Sequence, residues 1–444
     1  MAMKNPPISK YDEIIESPND SSGPLTFGIE LEFLVPYLKK GIEDPDPQDK
    51  RPPITYRRRD DLPPQFLAAL KASAPEIPFR CGVQEAGAEN DGPPNYDEWR
   101  FLRDSSVRFG RTSEIYQWSG REITSVVMRA DDPDFYTKSI TSVCRAIRST
   151  RVHLNASTSV HVHVGRGEES FSLVTMKKFA SLIWLVDEML LKLHHPSRHE
   201  NRHCSLIKTS SILGTTNLSL PTPISEADAQ QMDEFIPASA VAQVTGLAQQ
   251  GTKAIERLAC WMCNRDPYQT VFNRTSVSFS RFISCRGKGN LHTFEFRQMA
   301  GCLDPGPIMH WARVCIALVD FARLSDAVAF RGLVEKILKG RGTTFTAFDL
   351  LRELGLVEEE KYFRQSVAGY KTMFGLYPGA EAGKLFLDPM DFKNFHRLHH
   401  EVPRTTSLIG PQVDGDNVPV RGDKTTSQIP SVKPLNTPCQ DTAR

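Results

Sequence analysis

Three short segments of this chain switch between apolar and charged or imidazole side chains at every second residue, and that period belongs to a β-strand. They are Phe27-Gly28-Ile29-Glu30-Leu31-Glu32-Phe33, His161-Val162-His163-Val164-Gly165 and Thr293-Phe294-Glu295-Phe296-Arg297. In an extended chain successive side chains point to opposite faces. Glu30 and Glu32 therefore share one face, as do His161 and His163, and Glu295 and Arg297. Ile29, Leu31, Phe33, Val162, Val164, Phe294 and Phe296 take the other face and need helices packed over them. The pattern predicts a sheet whose polar, concave side is a reaction site.

The rest of the chain supplies those helices. Trp99–Asp104, Arg121–Val127 and Ser276–Phe282 read as further strands, and Pro63–Ala74, Asp134–Ser149, Phe171–Leu193, Ile255–Met262 and Pro307–Ala329 as helices. Ile140, Val143 and Ile147 recur at helical spacing, and so do Trp311, Cys315, Leu318 and Ala322. The fold class is α+β, with a curved, mainly antiparallel sheet lining the site and helices on its outer face. Residues 1–22 lack periodicity, residues 403–444 lack aromatic residues, and both are expected to be disordered. The body, 23–402, reads as a single catalytic domain. It carries a Pro- and charge-rich insertion at 41–64, placed at the mouth of the site by its position after the first strand, and a helical part at 331–402.

Composition excludes several partners. The formal net charge is +1, and the basic run Tyr56-Arg57-Arg58-Arg59 is answered at once by Asp60-Asp61, so no nucleic acid is expected. No run reaches the roughly 18 apolar residues of a membrane span. Met1–Ser9 lacks the apolar core of a secretory signal, and nine scattered cysteines read as reduced thiols. The chain reads as soluble and cytoplasmic. Cys260-Trp261-Met262-Cys263 has no second pair at zinc-binding spacing and lies in a helical stretch, which suits packing.

Paired carboxylates on one face of a strand repel each other, and a divalent cation is their natural partner. Oxygen-rich donors suit Mg²⁺ or Mn²⁺. Glu30, Glu32, Glu122 and Glu295 would supply oxygen and His161 or His163 a nitrogen, while Arg297 has the planar fork that holds phosphate or carboxylate. Singly, each motif has a plain alternative: a solvated strand face, a surface histidine pair, a surface ion pair worth under about 1 kcal/mol. Three in one chain, each with the same apolar flanks, point to a site.

The trio, with Trp99…Asp104-Ser105-Ser106-Val107, Glu122-Ile123-Thr124-Ser125 and Gly301-Cys302-Leu303-Asp304-Pro305, resembles the amidoligase family of the carboxylate–amine ligase superfamily, which includes glutamine synthetase and glutamate–cysteine ligase. The resemblance spans about residues 24–325 and implies a glutamine-synthetase-like fold. It implies an ATP- and Mg²⁺-dependent (or Mn²⁺-dependent) enzyme that joins a small-molecule or peptide carboxylate to an amine through an acyl phosphate. It also implies two cation sites, with Glu30 and Glu32 each facing one of them, His161 and Glu295 joining the one that bridges the phosphates, and Glu122 joining the other. His163 and Arg297 would contact phosphate, so Glu32, His163, Glu295 and Arg297 carry the chemistry. Arg274, with Asn273, and Asn201-Arg202, within the cluster Arg198–His203, are candidates for binding phosphate or a substrate carboxylate. Three other readings remain open from the residues. One is a metal-dependent hydrolase using the His-x-His pair with His292 or His310. The others are a nucleotide-binding relative without turnover and a kinase. The acid, the amine and the oligomeric state are not readable.

Overall fold

The computed structural model describes residues 20, 22–56, 62–82, 96–109, 116–199, 201, 203–215, 252–263, 275–283, 291–340 and 344–376. The expectations for residues 1–19 and 377–444 lie outside them.

The backbone of the fold is one mixed sheet with antiparallel pairing through its middle. Its strands are β1 (Thr26–Lys39), β2 (Ile54–Tyr56), β3 (Phe79–Cys81), β4 (Trp99–Arg103), β5 (Tyr116–Thr124), β6 (Met128–Arg129), β7 (Ser159–Gly165), β8 (Val277–Ser278) and β9 (Phe294–Ala300). The order across the sheet is β3-β4-β5-β1-β7-β9-β8, with β2 and β6 attached to β1. Among the described residues, only β1–β2 and β3–β4 pair in parallel. β1 is central and holds the register. Glu30 lies opposite Thr124 on one side and His161 on the other, and Glu32 lies opposite Glu122. β7 then places His163 opposite Glu295. This lateral alignment turns three separate sequence motifs into one patch.

The apolar face of the sheet is covered as the alternation demands. Among the described residues, the helices of seven residues or more are α1 (Leu62–Ser73), α2 (Pro133–Arg148), α3 (Leu173–Leu191), α4 (Thr252–Met262), α5 (Pro305–Leu324), α6 (Ala327–Gly340), α7 (Ala347–Glu353) and α8 (Val357–Leu376). Phe66 of α1 stacks on Phe101 at 4.9 Å and meets Phe33 at 5.7 Å. Phe179 of α3 lies 4.1 Å from Phe294, and Trp311 of α5 meets Phe296 edge-on. Each such fully buried ring contributes about 1.5–3 kcal/mol. Helix starts follow local chemistry: Asp132, Ser172 and Asp304 each cap a helix through a side-chain oxygen, and Pro133 and Pro305 occupy the first turn of α2 and α5.

Two expected elements are corrected. Ser276–Phe282 is not one strand; β8 is two residues long and a single 3₁₀ turn, Ser280–Phe282, follows. Phe279 and Phe282 both pack on Phe294, at 5.3 and 4.8 Å, and three-residue spacing onto one surface requires a turn. The helix expected to reach Ala329 ends at Leu324. Asp326 then accepts a hydrogen bond from the Ala329 amide and opens α6 as a separate helix.

The segment after β1 also lies elsewhere than expected. β2 pairs with Tyr37–Lys39, at the far end of β1, seven residues or about 23 Å along the strand from Glu30. The buried Arg151 guanidinium ties it down, donating to both Asp44 carboxylate oxygens at 2.6 and 2.7 Å and to the carbonyls of Asp46, Asp49 and Arg51. Residues 43–56 therefore brace the body and do not line the mouth of the site.

Candidate active site

Five carboxylates and two imidazoles meet on the polar face of the sheet. Glu30 is their centre: its Oε2 lies 2.7 Å from His161 Nδ1, and its Oε1 lies 2.9 Å from His163 Nε2. His161 is almost wholly buried and touches five partners, Arg297 Nη1 at 3.5 Å among them. Besides Glu30, its Nδ1 is 3.6 Å from Glu295 Oε1, and its Nε2 is 2.7 Å from Ser159 Oγ and 3.5 Å from Glu32 Oε1. Ser159 donates its hydroxyl proton to Glu32 Oε2 at 2.6 Å. Arg297 donates to Glu295 and, through Nε, to the His203 carbonyl at 3.1 Å. Arg198, buried behind β9, donates to the Arg297 carbonyl at 2.7 Å.

Two sets of these residues could each hold an ion. Glu30, His163 and Glu295 offer one ligand atom apiece, all within 4.8 Å of one another; so do Glu32, Asp104 and Glu122. The donors are five carboxylate oxygens and one imidazole nitrogen, which fits Mg²⁺ or Mn²⁺ better than zinc.

The two sets differ electrically. Glu30 and Glu295 are held low, Glu295 at about 2: burial works against their ionisation, but His163 and His161 beside Glu30, and Arg297 beside Glu295, more than offset it. Glu122 goes the other way. Burial, together with Glu30, Glu32, Asp104 and Glu295, pushes its carboxyl well above the usual range, and burial also raises Glu32. Glu32 and Glu122 sit directly opposite on paired strands, where like charges repel. The second set thus has more negative charge than local positive charge, a difference that a bound cation would offset.

Asp104 is the ligand candidate to which sequence reasoning assigned no role. It directly follows β4, in phase with Arg100 and Leu102, and Leu102 pairs with Glu122, so continued alternation was the available signal. A turn fixes it, with the Ser106 amide and hydroxyl both donating to its Oδ1. That turn presses on Gly120: an added Cβ would stand 2.2 Å from the Val107 carbonyl and 2.4 Å from that of Asp104. Only glycine lets β5 approach closely enough to bring Asp104 to Glu122. Ser159 was also missed, because a serine in a strand carries no distinctive signal.

Glu30, Glu32, Glu122, His161, His163, Glu295 and Arg297 therefore all come together. One difference from the resemblance is that His163, rather than His161, joins Glu30 and Glu295 in the first set, while His161 lies between both sets. Arg274, Asn273 and Arg202 lie outside the described residues. Asn201 donates to the Ala156 carbonyl at 2.8 Å. His310 is on α5, 3.2 Å from Glu359 and away from the cluster, and His292 belongs to neither ion-binding set, so the hydrolase reading gains no further ligand from them. Among the described residues no helix is long and apolar enough to cross a membrane.

The site is a carboxylate-lined face whose two three-residue sets could each hold a cation, built on a largely antiparallel sheet with helices behind. The sequence profile of the family described as "putative amidoligase enzyme" matches residues 23–319, from just before β1 into α5, and the chain belongs to that family. Membership marks it as an enzyme of the ligase kind. A search of curated proteins returned no match.

Proposed function

We propose that this protein is an ATP- and Mg²⁺-dependent (or Mn²⁺-dependent) carboxylate–amine ligase with a glutamine-synthetase-like catalytic fold. The observation that carries the reading is the pair of three-residue acidic sets side by side on one sheet face, with Arg297 held against one of them. Glu30, His163 and Glu295 would hold one ion, and Glu32, Glu122 and Asp104 the other. When bound, such ions neutralise the charge that develops on phosphate oxygens during transfer.

The γ-phosphoryl group passes from ATP to a substrate carboxylate, releasing ADP and leaving an acyl phosphate. An amine nitrogen then attacks the acyl carbon, inorganic phosphate leaves, and the nitrogen gives up a proton. Phosphoryl transfer asks the protein mainly for position and charge. Arg297, fixed by Glu295 and the His203 carbonyl, offers a pre-aimed guanidinium to a phosphate oxygen. His161 keeps Glu30, Glu32 and Glu295 at fixed separations, so both sets stay aligned. The oxygen-dominated donor set supports this reading over a zinc hydrolase.

ADP release from Mg²⁺-ATP tests it, in the presence of pooled amino acids, polyamines and short peptides, with Glu295→Gln as the blank. Release that needs the pool and vanishes in the variant is the expected result, and amide product must accompany it. Phosphorylated product without amide would mean a kinase, and metal-dependent hydrolysis without nucleotide would discard the ligase reading.

A further inference from the structure

The backbone that carries Arg297 departs from a regular ladder on both sides. Toward β7 the register slips: Val160 faces Met299 and Val162 faces Phe296, so β9 has one residue more, and His161 faces Arg297 and Gln298 together. Toward β8, the Arg297 amide donates to the Ser276 carbonyl at 2.8 Å. A regular antiparallel pair would return the Ser276 amide to the Arg297 carbonyl. The Ser276 amide goes to the Ser205 carbonyl instead, at 2.7 Å. Arg198 supplies the missing donor. Its Nη2 reaches the Arg297 carbonyl at 2.7 Å from the 3₁₀ turn Pro196–Arg198 that follows α3.

A neutral side chain would satisfy one carbonyl. Arg198 is only 1% exposed, and among the described residues no carboxylate lies in salt-bridge reach of it and its Nε has no hydrogen-bond partner. Burying a guanidinium in this way is unfavourable, and what it touches is the peptide of Arg297. The same segment also grips the Arg297 side chain, whose Nε donates to the His203 carbonyl at 3.1 Å. That segment is itself braced: the His203 amide donates to Asn201 Oδ1 at 2.8 Å, and Asn201 Nδ2 to the Ala156 carbonyl at 2.8 Å, just ahead of β7. Arg297 is therefore held at both ends, its backbone by Arg198 and its side chain by the His203 carbonyl and Glu295. At this depth Arg198 itself meets no ligand; its reach ends at Arg297.

We propose that Arg198 is a positioning residue for Arg297: it fixes the bulged peptide so that the Arg297 guanidinium meets a phosphate oxygen already aimed. The assignment rests on the ligase reading above. The test is calorimetric, on the full chain. Mn²⁺ alone is titrated first, then inorganic triphosphate in Mn²⁺ buffer, for wild type, Arg297→Met, Arg198→Met, Arg198→Lys and the double variant Arg198→Met/Arg297→Met. Arg297→Met should weaken triphosphate binding by about tenfold or more, the loss expected for one charge-assisted donor group. Arg198→Met should lose about as much, while Mn²⁺ affinity stays within about threefold, because no proposed ion ligand is altered. Arg198→Lys keeps a charged donor and should restore part of the loss. The double variant should bind triphosphate no more weakly than Arg297→Met alone, since both residues act through one guanidinium. Should Arg198→Met fail to fold, Arg198→Gln takes its place in both comparisons. Unchanged triphosphate affinity in Arg198→Met, with Arg297→Met weakened, would overturn the positioning role and leave the ligase reading standing. Additive losses in the double variant would overturn it too, as would Mn²⁺ and triphosphate binding failing together in Arg198→Met. Wild type that binds Mn²⁺ but not triphosphate, or Arg297→Met with undiminished affinity, would overturn the phosphate role of Arg297 and this assignment with it.

Discussion

At the scale of single residues, the site turns on opposite settings of similar groups. Glu295 is fixed as an anion by Arg297, whereas Glu122, surrounded by other carboxylates, resists ionisation. Asp104→Asn or Glu122→Gln should therefore remove one cation site and keep the other. Mn²⁺ calorimetry would show a fall from two sites to one, and an unchanged stoichiometry would sink the two-set assignment. Glu295→Gln and His161→Ala should each abolish metal-dependent nucleotide turnover with the circular dichroism spectrum preserved; near wild-type rates in either would show the site to be misassigned. Because Glu122 keeps its proton above the normal carboxylate range, ion binding at its set must displace that proton. Affinity there should rise with pH and be accompanied by proton release, read by comparing heats in buffers of different ionisation enthalpy.

Among the elements, α3 carries an unusual burden. It is the long apolar helix behind β7 and β9, yet it buries Asp187, which accepts from the Ile207 amide at 2.8 Å and the Ser276 hydroxyl at 2.6 Å. Burial pushes Asp187 up to about 6, with Ser276, Ile207 and Gln298 pulling it back. An unfolded aspartate titrates near 4. Between about pH 4 and pH 6 the folded chain therefore holds a proton that the unfolded chain has lost. This group's contribution is fully present below about pH 4 and is lost as pH rises through about 6, at a cost of up to about 3 kcal/mol. Asp187→Asn cannot titrate. Its Tm relative to wild type should be higher at pH 8 than at pH 4, and a difference independent of pH would refute the assignment. A second element-scale expectation concerns Arg151→Ala, which takes the buried guanidinium from Asp44, while Asp49 keeps Arg51. It should cost about 3–5 kcal/mol in denaturant unfolding, the range for removing one partner of a buried pair.

For the molecule as a whole, gathering Glu30, Glu32, Glu122, Glu295 and Asp104 on one face stores electrostatic repulsion that ions relieve. A ligand present at 100 times its Kd stabilises the folded state by about 2.7 kcal/mol per site. Adding Mg²⁺ or Mn²⁺ in place of EDTA should raise Tm by several degrees, and the gain should shrink in Asp104→Asn. A flat response would argue against any cation at this face. The nine-stranded sheet is what makes such a concentration of charge tolerable: the apolar residues between the acids are locked into the helices behind, Phe179 on Phe294 and Phe66 on Phe101 among them.

Alternation alone determined which side chains of β1, β7 and β9 share a face, because a period of two is a property of any extended chain and needs no partner. It therefore reached Glu30, Glu32, His161, His163, Glu295 and Arg297, and the helical repeat reached the cores of α2, α3 and α5. Lateral neighbours are a different matter. Which residue stands opposite Glu32, that Asp104 is drawn in by a turn pressed against Gly120, and that His163 rather than His161 joins Glu295 are consequences of strand order and register. Those contacts join residues far apart along the chain, and no local repeat encodes their distance. The break between α5 and α6 and the turn after β8 were hidden for the same reason: the core surface that Phe279 and Phe282 must meet is itself assembled from other elements.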